Sequence, residues 1–340
     1  MATIAESAPA TPAELRILTP DGALLHDRHD REAGPSTEHL RPIYEAMVRA
    51  RRLDLALEHL SEQGRTGFYA NGVGEEAATV AAAAALQPND WVFIGRREIG
   101  VALWRGLSEQ RVIDGAFGNA SDGAKGRALP GLVGSRERRV VASSGLAGNH
   151  LIHATGCGWA ARTQGEGVVA AAWFPDSAAE AADFHTALNF AGVFRVPVLF
   201  LGRSRGDKGA LAARAVAYGI ESVLCDGSDA LAVLAATGRA RERALGGQGP
   251  TLIELSLAEA GEGTDPLRRA RRFLERQNAW SDEAQRALDQ QIEAQLAQAI
   301  AHAGQAPLPP TASLFDDTYA RAPWHLAEQR AALANLLGDR

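Results

Sequence analysis

The fold is decided by the stretch VVAAAWFPDSAAEAADFHTALNFAGVFRVPVLFLGRSRGD, residues 168–207. It begins with the short apolar run 168–174, which is typical of a buried strand. A helix is predicted over 178–194, and VPVLFL at 196–201 repeats the apolar strand pattern. Strand, helix and strand in this order predict two parallel strands joined by a crossover helix.

The same alternation continues toward the C-terminus. Helices are predicted over 210–219 and 229–245, and strands over 221–225 and 250–256. Taken together, these elements predict a mostly parallel central sheet with helices on both faces, which is an α/β fold.

Helical segments and loops precede the alternating region. A long helix is predicted from about 36 to 61, because apolar residues recur there at helical spacing. Small-residue helices are expected over 75–86 and about 148–163. The glycine-rich residues 107–147 between them are expected to be loop.

The chain divides into an arm and one domain. Residues 1–35 are rich in alanine, proline and charge, so a flexible N-terminal arm is predicted there. Residues 36–340 are predicted to form a single domain. Its C-terminal part, from about 281 to 340, reads as a helical extension with a proline-rich break at 306–310.

The composition argues against two classes of partner. The net charge of −6 and the lack of a basic stripe argue against nucleic acid. No apolar stretch reaches the roughly 20 residues that a membrane span needs. Cys157 and Cys225 form neither a disulfide framework nor a metal knuckle, and the first residues lack the pattern of a signal peptide. We therefore expect a cytoplasmic protein, and its arginine- and alanine-rich composition is typical of a GC-rich bacterial genome.

Several segments resemble the alpha subunit of the thiamine-diphosphate-dependent 2-oxo-acid dehydrogenases, the decarboxylating component of the pyruvate and branched-chain 2-oxo-acid dehydrogenase complexes. They occur in the family's order from about residue 40 to 335. The segments are ARRLD (50–54), GRTGFYANGVGEEAATV (64–80), DWVF (90–93), RREIGVALWRG (96–106), FGNASDGAKGRALP (117–130), DFHTALNFAGVF (183–194), AYGIESVLCDGSDALAV (217–233), PTLIE (250–254) and SLFDDTYARAPWHLAEQ (313–329).

The resemblance implies a thiamine-diphosphate-binding fold, thiamine diphosphate and magnesium as cofactors, and a beta-subunit partner, usually in an α2β2 assembly. The family decarboxylates a 2-oxo acid and passes the acyl group to a lipoyl carrier. Its alpha subunit holds magnesium and the diphosphate, and its beta subunit supplies the glutamate that activates the cofactor. The segment FGNASDGAKGR and the opening RILTPDG (16–22) favour the branched-chain members.

The first half of the implied metal site is the turn after the strand that ends at Phe174. A ligand of a parallel sheet is expected there, outside the carboxyl ends of the strands. The family has a Gly-Asp-Gly or Gly-Glu-Gly turn, and this chain reads Pro175-Asp176-Ser177. Asp176 is therefore the candidate metal ligand and cofactor contact, although an aspartate is also an ordinary turn residue.

The second half is the loop after Leu201, where the family has an Asn-Asn pair. This chain reads RSRGD from Arg203 to Asp207. Arg203 matches an arginine that some family members use on the diphosphate, whereas Arg205 stands at the metal-binding Asn. A guanidinium carries only donors and cannot ligate a cation, so Asp207 is the candidate replacement carboxylate.

Two further turns carry candidates for cofactor contacts. The family's phosphate-binding Tyr-Arg pair reads Arg96-Arg97 in this chain. Ser144 and Leu146 belong to the serine-rich turn before the second small-residue helix, which lacks the usual proline. After the last strand, Glu259 stands where the family has an arginine, and the family's loop histidine is missing.

The first functional hypothesis is a non-catalytic relative that retains the fold and the subunit surfaces. It would act as a structural or regulatory subunit beside a beta subunit or by self-association. Arg96, Arg97, Arg203 and Arg205 would then converge on a small phosphate or carboxylate, because guanidinium groups suit such anions. The structural alternative for Arg203 and Arg205 is a solvated loop or an ion pair with Asp176.

The second hypothesis is a working pyruvate or branched-chain dehydrogenase alpha subunit with an atypical metal site at Asp176 and Asp207. A third, an unrelated dinucleotide-binding oxidoreductase, is disfavoured because no GxGxxG follows an early strand.

Structural interpretations stand beside the remaining candidates. Arg97 would form a surface salt bridge with its neighbour Glu98 or with another acid. The GEEA helix start at 74–77 indicates a role at an interface or with the helix dipole. His153 and His185 are interpreted as structural histidines.

Overall fold

The computed structural model describes residues 13–25, 37–257 and 265–338. Its strands are β1 (Trp91–Ile94), β2 (Val140–Ala142), β3 (Ala170–Pro175), β4 (Val198–Ser204), β5 (Glu221–Asp226) and β6 (Thr251–Ser256). They form one six-stranded sheet in the order β2-β1-β3-β4-β6-β5. All neighbouring strands run parallel, which confirms the predicted α/β fold.

The helices surround this sheet. They are α1 (Thr37–Glu62), α2 (Ala82–Ala84), α3 (Ile99–Trp104), α4 (Glu109–Phe117), α5 (Asn149–Gln164), α6 (Ala182–Val193), α7 (Ala210–Ala215), α8 (Ala230–Leu245), α9 (Pro266–Arg276), α10 (Asp282–Gln305) and α11 (Trp324–Leu337). The helix predicted over 75–86 is a π-helical turn, Ala77–Ala81, that runs into α2.

The central strands are buried on both faces. Successive side chains of a strand point to opposite faces, so Trp173 and Leu201 pack against α1 and α8 on one side. Phe174 and Phe200 pack against α5 and α6 on the other side. Complete burial of each such side chain stabilises the fold by about 1.5–3 kcal/mol. The apolar runs that predicted the strands are therefore the two-sided core.

The structure corrects the expectation that residues 107–147 are loop. They contain α4, whose Val112 and Ile113 are fully buried, and β2, which pairs with β1. Ser108 caps α4 by accepting a hydrogen bond from Arg111 N at 3.3 Å. Both elements are short and lie among glycines, so their periodicity was too brief to predict them. Glu259 and its loop lie outside the described residues.

The N-terminal segment also differs from the flexible arm that was predicted. Within residues 13–25, Leu15 donates its N–H to Leu224 O at 2.8 Å, and Leu18 is fully buried. The carboxylate of Asp229 accepts N–H groups from Ile17 and Leu18 at 2.7 and 2.6 Å. These contacts lie more than 200 residues apart in sequence, which is why local composition did not indicate them. The rest of the predicted arm lies outside the described residues.

The C-terminal region is helical, as predicted for residues after about 281. Along α10, Leu288, Ile292 and Leu296 are buried at helical spacing. In contrast, α11 buries none of its described residues. No helix of the described ranges is both long and apolar enough to cross a membrane.

Asp229→Ala is expected to lower the free energy of unfolding by about 2–4 kcal/mol. Asp229 is fully buried, caps α8 through Leu231 N and Ala232 N, and lies 3.3 Å from the buried Arg269 guanidinium. Urea denaturation of the variant and of Ser281→Ala measures the difference. Ser281 is an exposed cap of α10, so its loss should cost about 1 kcal/mol. Equal losses for the two variants would contradict this role for Asp229.

Candidate functional site

A cavity of about 440 Å³ lies at the carboxyl ends of the strands. The turns after β1, β2, β3 and β4 all contribute to its walls, which is where a ligand of a parallel sheet is expected. The segment just before the π-helical turn at 77–81 closes one side. The residues that line it are Phe68, Ala70, Glu75, Gly95, Arg96, Arg97, Glu98, Ser143, Gly145, Leu146, Ala147, His150, Trp173, Pro175, Asp176, Ser177, Arg203, Arg205 and Leu257.

The register of the sheet brings the two predicted loops together. Pro175, the last residue of β3, lies directly opposite Arg203 of β4. Asp176 therefore follows one strand end while Arg205 follows the neighbouring one. Asp176 Oδ2 accepts the backbone N–H of Arg205 at 3.1 Å. This bond connects the two halves of the implied site.

Glu75 is the centre of the charged groups in the cavity. Its side chain is 3% exposed and contacts three guanidinium groups. Arg203 forms a short ion pair with it. Arg205 lies at 3.1 Å and Arg97 at 3.5 Å. One buried carboxylate thus holds together three of the four predicted arginines.

Glu98 completes the buried part of this cluster. It is fully buried, forms an ion pair with Arg203, and accepts the N–H of Gly95 at 2.7 Å. Arg203 itself is 7% exposed. It therefore bridges Glu75 and Glu98, which come from two different loops. We call Glu75, Glu98 and Arg203 the buried ion cluster.

Burial and ion pairing compete within the cluster. Burial disfavours the charged form of Glu75, but the guanidinium groups of Arg203 and Arg205 outweigh it and hold the pKa of Glu75 below its usual value. Burial raises the pKa of Glu98, against the attraction of Arg203. Glu75 is therefore the firmly ionised partner, because it is the carboxylate that more than one guanidinium group contacts.

Arg96 lies apart from the cluster on the rim of the cavity. Its guanidinium group lies 5.5 Å from the ring centroid of Phe68, a cation–π contact. Phe68 and Leu146 are both largely exposed, at 67% and 70%. The entrance therefore presents apolar surface beside a cation, while the interior is charged.

The structure identifies the acids that the arginines contact. Arg97 pairs with an acid, as expected, and that acid is Glu75 rather than the adjacent Glu98. The side chains of Arg203 and Arg205 both contact Glu75. The hydrogen bond to Asp176 is donated by the backbone N–H of Arg205. The GEEA segment thus contributes Glu75 to the cavity wall.

Two predicted site residues are not part of the cavity wall. Ser144 is exposed, and its hydroxyl accepts a hydrogen bond from Asn149 at 2.7 Å, whereas its neighbour Ser143 lines the cavity. Asp207 is exposed and is not among the lining residues. Both residues lie in short polar turns, and the sequence of such a turn does not show which of two adjacent side chains faces the cavity.

The cofactor that the resemblance implies needs oxygen ligands for magnesium and donors for the diphosphate. Among the described residues, no group of three or more His, Cys, Asp or Glu side chains is arranged to hold a metal ion. Magnesium needs an octahedral shell of oxygen ligands, but Glu75 and Glu98 are paired with guanidinium groups and Asp207 lies outside. Asp176 is the remaining candidate carboxylate in the wall, and it accepts the N–H groups of Ser177 and Arg205. The carboxylates of the described wall therefore do not form a magnesium shell by themselves. The guanidinium groups do suit the oxygens of a phosphate or carboxylate.

Sequence reasoning missed Glu75, Glu98 and His150 as site residues. His150 opens α5, is 3% exposed, and lines the cavity. His153, three residues later, is exposed, and His185 contacts Tyr218 on the surface. The signal for Glu98 was its place beside the Arg96-Arg97 pair, but the sequence did not show that it points inward.

A further buried acid, Asp54, supports the segment that carries Glu75. Asp54 of α1 accepts a hydrogen bond from the Tyr69 hydroxyl and from Gly72 N. Gly72 has no space for a side chain, because a Cβ there would lie 2.4 Å from Arg97 O. Asp54 is 2% exposed, and this burial raises its pKa to about 7. The segment 69–72 is thus held between α1 and the turn that carries Arg97.

The fold and the cavity define an α/β protein with a guanidinium-lined site at the carboxyl edge of a parallel sheet. A family model described as "Dehydrogenase E1 component" matches residues 44–261. The chain belongs to this family, among the alpha subunits of the 2-oxo-acid dehydrogenases.

Three relatives illustrate the similarity. The 2-oxoisovalerate dehydrogenase subunit alpha 2, mitochondrial, of Arabidopsis thaliana is 32% identical over 92% of this chain and 73% of the relative. The pyruvate dehydrogenase E1 component subunit alpha of Bacillus cereus is 31% identical over 93% and 91%. The 2-oxoisovalerate dehydrogenase subunit alpha of Pseudomonas aeruginosa is 32% identical over 95% and 89%.

The unfolding free energy is expected to fall as the pH rises from about 4 to about 7. The pKa of Asp54 is raised from 3.8 to about 7 in the folded protein. The folded state therefore binds this proton more tightly than the unfolded state does, and the stability that the proton adds is lost as the pH rises. Asp54→Asn should remove this contribution, of the order of a few kcal/mol. Urea denaturation across this pH range measures it.

Glu180→Gln is the matched control, because Glu180 is an exposed carboxylate. This variant should keep the pH profile of the wild-type protein. If the profiles of Asp54→Asn and the wild-type protein run parallel, Asp54 does not titrate as described.

Proposed function

We propose that this chain is an alpha-type subunit of a 2-oxo-acid dehydrogenase assembly that binds a small anion in its cavity and carries out no metal-dependent chemistry of its own. It acts there as a structural or regulatory subunit. The family membership supports the assembly, and the chemistry of the cavity supports the anion. The two supports are independent, because one rests on the whole chain and the other on a few charged side chains.

One observation carries the proposal. Arg205 stands where the resemblance implies a metal-binding Asn, and its guanidinium group lies 3.1 Å from Glu75. A permanent cation at this position repels a second cation, and guanidinium groups have no lone pair to offer a metal. The alternative catalytic site at Asp176 and Asp207 has less support, since Asp207 is exposed and outside the cavity wall.

The arginines divide into fixed and adjustable groups. Arg203 is 7% exposed and is held between two glutamates. The side chains of Arg97 and Arg205 are 50% and 44% exposed, so both reach solvent while they contact Glu75. An entering anion would compete with Glu75 for these two guanidinium groups. Bidentate contacts from such groups give both affinity and orientation.

The proposed partner is a beta subunit. The relatives are named as alpha subunits of dehydrogenases, so a complementary subunit is the partner that the similarity favours. We propose the cytoplasm as the location on the sequence argument alone, and some relatives are named mitochondrial.

Anion binding should be independent of magnesium. Thiamine diphosphate titrated by calorimetry into the purified chain, alone and assembled with its beta subunit, is expected to bind equally well in EDTA and in magnesium. Arg97→Ala should weaken binding by about tenfold or more, because it removes a charge-assisted contact. Arg214→Ala is the control, since Arg214 pairs with the exposed Glu180 away from the cavity wall.

Arg205→Asn tests the carrying observation directly. It restores the residue type that the family uses, so binding by this variant should become stronger in magnesium than in EDTA. Magnesium-dependent binding by the wild-type protein would overturn the proposal and favour a catalytic alpha subunit. Equal binding by Arg97→Ala and the wild-type protein would show that the anion does not enter this cavity.

A further inference from the structure

His150 is a buried polar group in the cavity that the proposed anion site does not use. It lies in the first turn of α5 and is 3% exposed. Its Nε2 lies 2.6 Å from the backbone oxygen of Trp173, the residue before the last two of β3. Both His150 and Trp173 line the cavity. The imidazole is thus held in one orientation against the end of the central strand.

This contact decides which nitrogen carries the proton. A carbonyl oxygen only accepts hydrogen bonds, so Nε2 must be the donor. Nδ1 of the neutral ring then has a lone pair. Within the described part of the chain, Nδ1 is buried and has no hydrogen-bond partner. Burial, with the nearby Arg203 charge, holds the pKa of His150 below its usual value, which favours this neutral form.

The carboxylates of the cavity wall are already engaged. Glu75 and Glu98 contact guanidinium groups, and Asp176 accepts the N–H groups of Ser177 and Arg205. The arginines offer donors, which call for an anion, whereas His150 Nδ1 offers an acceptor, which calls for a donor. A ligand that satisfies both carries an anionic group and a hydroxyl group.

We infer that the cavity takes a small hydroxylated anion, whose charged group contacts the arginines and whose hydroxyl donates a hydrogen bond to Nδ1 of His150. The inference rests on the proposed anion site and names the class of ligand for it. The keto oxygen of a 2-oxo acid is an acceptor and would face the lone pair of Nδ1. A buried acceptor left unpaired disfavours such a ligand. The anionic group is either a carboxylate or a phosphate, since guanidinium binds both.

Matched ligand pairs test the inference by calorimetry on the purified full-length chain. The carboxylate pair is 2-hydroxyisovalerate and 2-oxoisovalerate, and the phosphate pair is 2-hydroxypropyl phosphate and propyl phosphate. In each pair the hydroxylated member is expected to bind about three- to tenfold more tightly, the effect of one net hydrogen bond. The pair that binds more tightly identifies the anionic group.

Two variants separate the acceptor role of Nδ1 from the contact between Nε2 and Trp173. The amide nitrogen of glutamine lies near the position of Nε2, and the amide oxygen of asparagine lies near that of Nδ1. His150→Gln should therefore keep the contact with Trp173 and lose the hydroxyl preference, while both members of a pair still bind. His150→Asn should retain a preference. A merely structural histidine would change affinity for both members alike and leave their ratio unchanged.

The outcomes distinguish this inference from the function on which it rests. Binding of both members with equal affinity by the wild-type protein would overturn the hydroxyl contact and leave the anion site intact. If no member of either pair binds, and if Arg97→Ala binds thiamine diphosphate as well as the wild-type protein does, the proposed anion site and the inference are overturned together. If His150→Gln still binds the hydroxylated member of a pair more tightly, the ligand hydroxyl donates to an acceptor other than His150. The wild-type comparison remains decisive even if a variant fails to fold.

Discussion

The buried ion cluster of Glu75, Glu98 and Arg203 is the interaction on which the cavity depends. Each member comes from a different part of the chain: the segment before the π-helical turn, the turn after β1, and the end of β4. Burying a charge without a partner is strongly unfavourable, so breaking such a pair typically costs about 3–5 kcal/mol. The three segments therefore adopt one arrangement, which places Glu75 within reach of Arg97 and Arg205.

The same cluster determines what the cavity can bind. Its glutamates are neutralised by guanidinium groups from their own chain, so they are not available to a metal ion. Additional cationic side chains, Arg96, Arg97 and Arg205, extend the positive surface toward the entrance. In the proposed function, these guanidinium groups contact the anion. In the further inference, His150 adds one hydrogen-bond acceptor in the interior, so the ligand is recognised by its hydroxyl group as well as by its charge.

Buried carboxylates hold the rest of the architecture together in a comparable way. Asp229 connects the N-terminal segment to α8 and to Arg269. Asp54 connects α1 to the segment beside the cavity through Tyr69. Their environments differ, because Asp229 has a guanidinium partner whereas Asp54 has hydrogen bonds from neutral groups. Burial raises the pKa of both carboxyl groups, and the Arg269 guanidinium opposes this rise at Asp229, whereas the pKa of Asp54 reaches about 7.

The sequence by itself determined the parallel sheet and the two loops at its carboxyl edge, because apolar runs such as 168–174 and 196–201 are local signals with a fixed period. The resemblance to the family then indicated the four arginines in the turns beside these strands. Only the tertiary structure decided which acids meet them. Glu75 and Arg203 lie 128 positions apart, and no periodicity relates residues at that distance. Likewise, the adjacent Ser143 and Ser144 differ in orientation, and His150 lines the cavity while His153 does not, because packing of α5 against the sheet selects one face of the helix.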